Sequence, residues 1–175
     1  MVSPLIELET FLPYRIAVLA SVMGTAIASA YVERYGLTIP EWRVIAVLTR
    51  YPGLSAREVA EKSHMDAVAV SRAVNRLLRA GRLRRAIARD DRRRSVLQVS
   101  EAGAVVYREV APMALEFERA LVDALPAADR AMLDRTLDVL MQRAEDLSTT
   151  LRGNDQEPAE KHKVRRAVAR ARTAR

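Results

Sequence analysis

No cysteine occurs among the 175 residues, which removes disulfide bridges, thiol redox switching and thiolate metal sites from consideration. The only histidines, His64 and His162, are too few for an imidazole metal centre, so neither a metal nor a cofactor is expected. Aromatic residues make up 5% of the chain, and the abundance of alanine and arginine favours helix. No continuous run of about eighteen apolar residues is present, so no membrane span is expected. The opening "MVSPLIELET" has no basic stretch ahead of its apolar residues and does not read as a secretory signal. Cytoplasmic localisation is the expectation. Phosphate-binding glycine loops, nucleophile motifs and patterned carboxylate pairs are also missing, which argues against an enzyme.

What is present is positive charge, unevenly placed. The net charge of +7 comes from 29 basic and 22 acidic residues. Residues 1–54 are balanced, whereas residues 55–94 hold twelve basic side chains against five acidic ones. Residues 95–151 are acidic, with ten against five, and residues 152–175 are basic again, with eight against three. One internal basic block and one basic tail form the footprint expected for binding a polyanion; a merely soluble arginine-rich surface is the plainer reading.

Helix punctuation is clear along the chain. Pro13 suits a first turn, and Leu12, Ile16, Leu19, Met23, Ala26 and Ala30 recur at steps of four and three, an apolar stripe ending near Gly36. "TIPE" (Thr38 to Glu41) and "SARE" (Ser55 to Glu58) are capping boxes, with Leu37/Trp42 and Leu54/Val59 as their hydrophobic staples. Pro52 and Gly53 break the first of these helices. A third start follows at Asp66, flanked by Met65 and Val70, and Gly81 supplies a left-handed cap at the far end. Residues 55–81 therefore read as two short helices around a turn at Ser63 to Met65. The second buries Val70, Val74, Leu77 and Leu78 and exposes Val68, Ser71, Arg72, Asn75, Arg76 and Arg79.

That basic, hydrogen-bonding face is suited to the major groove. Directly after it, "RLRRAIARDDRRRS" (residues 82–95) places seven arginines in fourteen positions. Leu83, Arg85 and Ile87 alternate before Asp90 and Asp91, and Ser95, Leu97 and Val99 alternate after them, so a hairpin is predicted. A helix-turn-helix followed by an arginine hairpin is a winged helix-turn-helix, its wing facing phosphates or a narrow minor groove. Ser100 then caps a long helix containing Pro112. Pro126 breaks the chain, and a last helix carries Met132, Leu133, Leu137, Leu140, Met141 and Ala144 on one face. From residue 152 a basic tail is expected, disordered alone or helical on a partner.

"VSRAVNRLLRAGRLRR" followed by "DDRRRSVLQVSEAG" resembles the MarR family of bacterial transcriptional regulators, and "IPEWRVIAVL" fits as well. The matching pattern is Gly81, Leu83, Asp91 with Arg93, Ser100 and Gly103, and the resemblance spans residues 12 to about 150. The basic tail and Pro126 depart from it. The resemblance implies a mainly α fold with a small β-hairpin wing: a winged helix-turn-helix domain (38–99) joined to a helical dimerisation region (1–37 and 100–151). It also implies a homodimer on a near-palindromic operator with half-sites about 34 Å apart. The long apolar faces of residues 12–35 and 101–147 exceed what one small winged domain covers, which independently favours division between core and a dimer interface.

Ser71, Arg72 and Arg76 match the family's DNA contact positions, with Asn75 on the same face. Arg72 or Arg76 pairs with guanine or with phosphate; sequence leaves both open. Ala67 and Val68 suit thymine methyl groups or simply form helix. Ser55 presents helix amides to a phosphate. In the wing, Arg92 and Arg93 are the expected contacts, with Asp91 orienting Arg93. For an effector, the resemblance implies a small organic anion, an aromatic acid or its coenzyme A thioester, with Tyr14, Arg15, Trp42 and Arg43 as candidates. Trp42 reads first as a staple and core residue, and the arginines equally as solvated or salt-bridged. The expected function is a sequence-specific DNA-binding transcriptional regulator, a repressor released by that ligand. The alternative is an architectural protein coating double-stranded DNA with wing and tail.

Overall fold

The computed structural model describes residues 5–87 and 95–172, without the side chains of residue 30 and of residues beyond 151. In chain order it contains α1 (Leu12–Tyr35), α2 (Ile39–Arg50), α3 (Ala56–Ser63), α4 (Ala67–Arg79), β1 (Leu83–Ile87), β2 (Ser95–Val99), α5 (Glu101–Val122) and α6 (Ala127–Arg172). The mainly helical architecture with one small hairpin is the one expected. By internal packing the chain divides into Met1–Leu121 and Val122–Arg175.

In the first unit the predicted punctuation operates as written. Gly36 ends α1 at φ 61°, a left-handed conformation that costs a residue with a Cβ. Glu58 returns to the Ser55 backbone N–H at 2.7 Å while the Ser55 hydroxyl accepts from Glu58 N–H at 3.3 Å, the reciprocal box at the start of α3. Asp66 caps α4 by accepting Ala69 N–H at 2.9 Å. At its far end Arg82 N–H reaches Leu77 O at 2.9 Å and Gly81 N–H reaches Leu78 O at 3.1 Å, the paired bonds that satisfy the last carbonyls of a helix.

The core lies where these helices meet. Val44, Ile45 and Leu48 of α2 are fully buried with Val59 of α3 and Val70, Val74 and Leu77 of α4, each contributing about 1.5–3 kcal/mol. Tyr31 of α1 and Val106 and Val110 of α5 extend the same cluster. The predicted hairpin is present, its antiparallel register setting Leu83 opposite Val99, Arg85 opposite Leu97 and Ile87 opposite Ser95. A further tie was not foreseen. Leu97 N–H donates to Leu54 O at 2.8 Å and its carbonyl accepts from Gly53 N–H at 3.1 Å, so the α2–α3 connection flanks β2.

The start of α5 is locked to the end of α4. Ser100 donates its hydroxyl to Gly81 O at 2.6 Å and accepts Gly103 N–H at 3.1 Å. Gly103 is there because the chains almost touch: a Cβ on it would lie 2.2 Å from Arg82 O and 2.8 Å from a Val99 methyl.

Only the second half of α1 is packed. Leu12, Ile16 and Leu19 are 48%, 44% and 53% exposed, so the leading end of its apolar stripe is uncovered in the single chain. Over Leu12–Ser29 the mean hydropathy is 1.3, enough by length and composition alone to cross a membrane. Arg15 interrupts the apolar run, while alanines, valines and small neutral residues keep the average high, and core helices of soluble proteins meet the same measure.

In the second unit Pro126 opens α6 without a capping side chain. Arg130 compensates by donating to Leu125 O at 3.0 Å and pairing with Asp123 at 2.9 Å. The apolar face of α6 is exposed over the part whose side chains are described, from Met132 through Leu137 and Met141 to Leu151. Its backbone continues helical to Arg172, the helical one of the two forms expected for the basic tail. The alanines, arginines, lysines and glutamates there favour helix, and Pro158 removes one hydrogen bond without ending it.

Candidate nucleic-acid interface

α4 has two sharply different faces. Val70, Ala73, Val74 and Leu77 are buried, while Ala67, Val68, Ser71, Arg72, Asn75, Arg76 and Arg79 are exposed. Successive positions one helical turn apart line up, so Val68, Arg72 and Arg76 form one row and Ser71, Asn75 and Arg79 the next. All of the residues predicted on this face are on it. The face carries three guanidinium groups, an amide, a hydroxyl and an apolar patch, supported from beneath by rigid packing. Such a surface can supply hydrogen-bond donors to base edges, charge to phosphates and apolar contact to methyl groups.

Arg76 differs from the others in having a partner below the surface. Its Nε lies 3.0 Å from Oε1 of Glu41. Glu41 is 3% exposed, the one charged residue in the core among those described. Its other oxygen, Oε2, accepts the Thr38 backbone N–H at 2.7 Å and the Thr38 hydroxyl at 2.9 Å. One carboxylate thus both caps α2 and grips α4. Glu41 was legible as a capping residue; nothing in the sequence pointed to its ion pair with a residue 35 positions on.

Ser55, half-buried, holds the N-terminus of α3 as predicted. At the wing base Arg84 and Arg85 are both exposed and alternate in direction along β1. Arg82 is instead half-buried and donates from Nη2 to Tyr35 O at 2.7 Å, fastening the wing base to the end of α1. Asp91, Arg92 and Arg93 lie outside the described residues.

The four effector candidates do not form one cluster. Trp42 is sandwiched between Tyr31 and Tyr107, each ring centroid 5.7 Å away, tying α1, α2 and α5 together. Arg43 is exposed beside it, and its charge partly opposes the burial that pushes the Tyr31 hydroxyl pKa up. Tyr14 and Arg15 are exposed in the first turn of α1, seventeen residues before Tyr31 and so about 25 Å along the helix. A single chain cannot close a small pocket over both pairs. The residues that do converge near Trp42 are two tyrosines, together with a polar joint one turn away. There Tyr35 donates to Glu109, which also pairs with Arg34. That hydrogen bond, with partial desolvation, raises the Tyr35 hydroxyl pKa.

The sequence model of the MarR family matches residues 35–94, which span α2, α3, α4 and the hairpin region. No curated protein matches the chain. Among solved structures, a MarR/EmrR family transcriptional regulator from Acinetobacter sp. ADP1 is 24% identical with a TM-score of 0.74, covering 81% of this chain and 99% of its own. The PcaV transcriptional regulator of Streptomyces coelicolor, solved with its natural ligand, is 22% identical with a TM-score of 0.67 over 81% and 99% of the two chains. The S. aureus MepR–DNA complex is 17% identical with a TM-score of 0.68 over 77% and 96%. At these identities the likenesses establish a shared fold.

Proposed function

We propose that the chain is a sequence-specific DNA-binding transcriptional regulator of the MarR family, a reading supported by the family model's match to residues 35–94. The observation that carries this reading is the α4 face, where Val68, Ser71, Arg72 and Asn75 stand together, exposed, on a helix whose other side is buried. Mixed donors, an acceptor and an apolar group in two rows suit the varied edges of the major groove better than a uniform cationic surface would. The wing, with Arg92 and Arg93, contributes the phosphate contacts that fix register. The fold it shares with a regulator crystallised on DNA supports the same reading.

The acting species is a homodimer in the cytoplasm. The uncovered apolar faces of α1 and α6 support this, because exposed stripes of that extent need a partner. We assign it repression, relieved by a small organic anion, most simply an aromatic acid or its coenzyme A thioester. The neighbourhood of Trp42 and Arg43 is the place for it, with aromatic rings to stack and a guanidinium to pair a carboxylate. Selection from a randomised duplex pool tests the function directly. Enrichment of a near-palindrome with half-centres about one helical turn apart is expected; a pool that stays random after repeated rounds would leave only nonspecific coating by wing and tail.

A further inference from the structure

We propose that Glu41 is a positioning residue that directs Arg76 to bases and away from phosphates, an inference that rests on the DNA-binding reading above. Glu41 is held from three sides: by the Thr38 N–H and hydroxyl on Oε2 and by Arg76 Nε on Oε1 at 3.0 Å. Its burial and its place in the first turn of α2 give it almost no freedom. The Arg76 side chain remains 56% exposed despite the pair, so it is anchored at Nε and still accessible.

Anchoring has a geometric and an electrostatic consequence. A guanidinium offers its donors in a planar fork, and with its Nε end held against the carboxylate by the ion pair the two Nη groups are the edge left for a bidentate partner. That edge matches the O6 and N7 acceptors of guanine. The carboxylate behind it offsets the positive charge, which weakens attraction to a phosphate. Contacts to neutral acceptors depend on directed donors and are spared. Arg72, one turn earlier on the same face, has no acidic partner among the described residues and keeps its full charge for phosphate or base. The two arginines thus have different tasks: Glu41 converts one of them from a point charge into an oriented donor pair.

The test uses the full-length protein, a duplex selected by the wild type from a randomised pool, and a scrambled duplex of equal composition. Glu41→Gln keeps a capping group at that helix position while removing the charge, and its fold is checked by circular dichroism. The variant is expected to bind the scrambled duplex more tightly and with a salt slope steeper by about one. Its selected-to-scrambled affinity ratio is expected to fall roughly tenfold. In an Arg76→Ala background the same substitution is expected to change neither duplex, since Glu41 acts through Arg76. Should Glu41→Gln not fold, Arg76→Lys decides on the same duplexes: a lone ammonium cannot make the fork, and an undiminished ratio overturns the proposal. Equal changes on both duplexes, or an effect that persists without Arg76, overturn it as well. A wild type that selects no sequence would remove the functional reading and this inference together. A wild type that selects, with a Glu41→Gln ratio unchanged, removes this inference alone.

Discussion

Arg76 and Glu41 are joined across the interface of α4 and α2 by a 3.0 Å contact between Nε and Oε1, a half-exposed cation on a buried anion. The carboxylate keeps its two Thr38 bonds when the arginine is removed, but its charge then lacks a counterion. Arg76→Ala is therefore predicted to lower folding stability by about 1–3 kcal/mol, the range for a buried polar group that loses a partner. Urea unfolding of wild type and variant checks this. A midpoint that does not move would mean that water replaces the arginine without cost.

The close approach at Gly103 gives a sharper stability prediction. A methyl group there meets Arg82 O at 2.2 Å, and neither a backbone carbonyl nor the strand below can retreat easily. Gly103→Ala is expected to cost about 1–3 kcal/mol or more, despite the better helix propensity of alanine. A melting temperature at or above that of the wild type would show that the wing base and α5 can separate freely.

Alkaline pH offers a readout of the joint between α1 and α5. The Tyr35 hydroxyl has a pKa above the ordinary 10.0, first because of its hydrogen bond to Glu109. In the unfolded chain the proton leaves near 10.0, while the folded protein still holds it. The stabilisation is thus fully present below that pH and is lost as pH rises through the raised folded value. Tyr35→Phe is predicted to flatten this part of the stability profile, in the alkaline range from the ordinary 10.0 upward. Tyr31, raised by burial, contributes a fall of the same sign that the substitution leaves in place. An identical profile for wild type and variant would show that the Glu109 bond does not govern this region.

The single tryptophan is a built-in probe of the effector proposal. Trp42 lies in the Tyr31–Trp42–Tyr107 stack, so an aromatic acid taken up beside it must change its emission. Titration with benzoate-type acids and their coenzyme A thioesters is expected to give a saturable change that Arg43→Ala weakens and Arg15→Ala does not. Weakening by Arg15→Ala alone would return the site to the first turn of α1.

Local chemistry was legible in the sequence, and non-local chemistry was not. Thr38–Glu41, Ser55–Glu58, Asp66 and Gly81 bound their helices because caps act within a few residues, where side-chain type and spacing suffice. The two faces of α4 followed from helical periodicity, and the existence of the hairpin from alternation on either side of Asp90 and Asp91. The Glu41–Arg76 pair, the Leu97 bonds to Gly53 and Leu54, and the Arg82–Tyr35 bond join residues far apart in the chain, and no periodic signal encodes them. The separation of Tyr14 and Arg15 from Trp42 and Arg43 within one chain is likewise not encoded by residue chemistry; it follows from the length of α1.

Base reading by the exposed face of α4 is tested most directly by binding titrations of Arg72→Ala and Asn75→Ala on the selected and the scrambled duplex. Neither side chain is buried, so the fold is not at stake. Each substitution is predicted to cost about 1–3 kcal/mol on the selected duplex where it removes a bidentate base contact, with a much smaller loss on the scrambled one. Equal losses on both duplexes, or none on either, would contradict sequence reading by this helix.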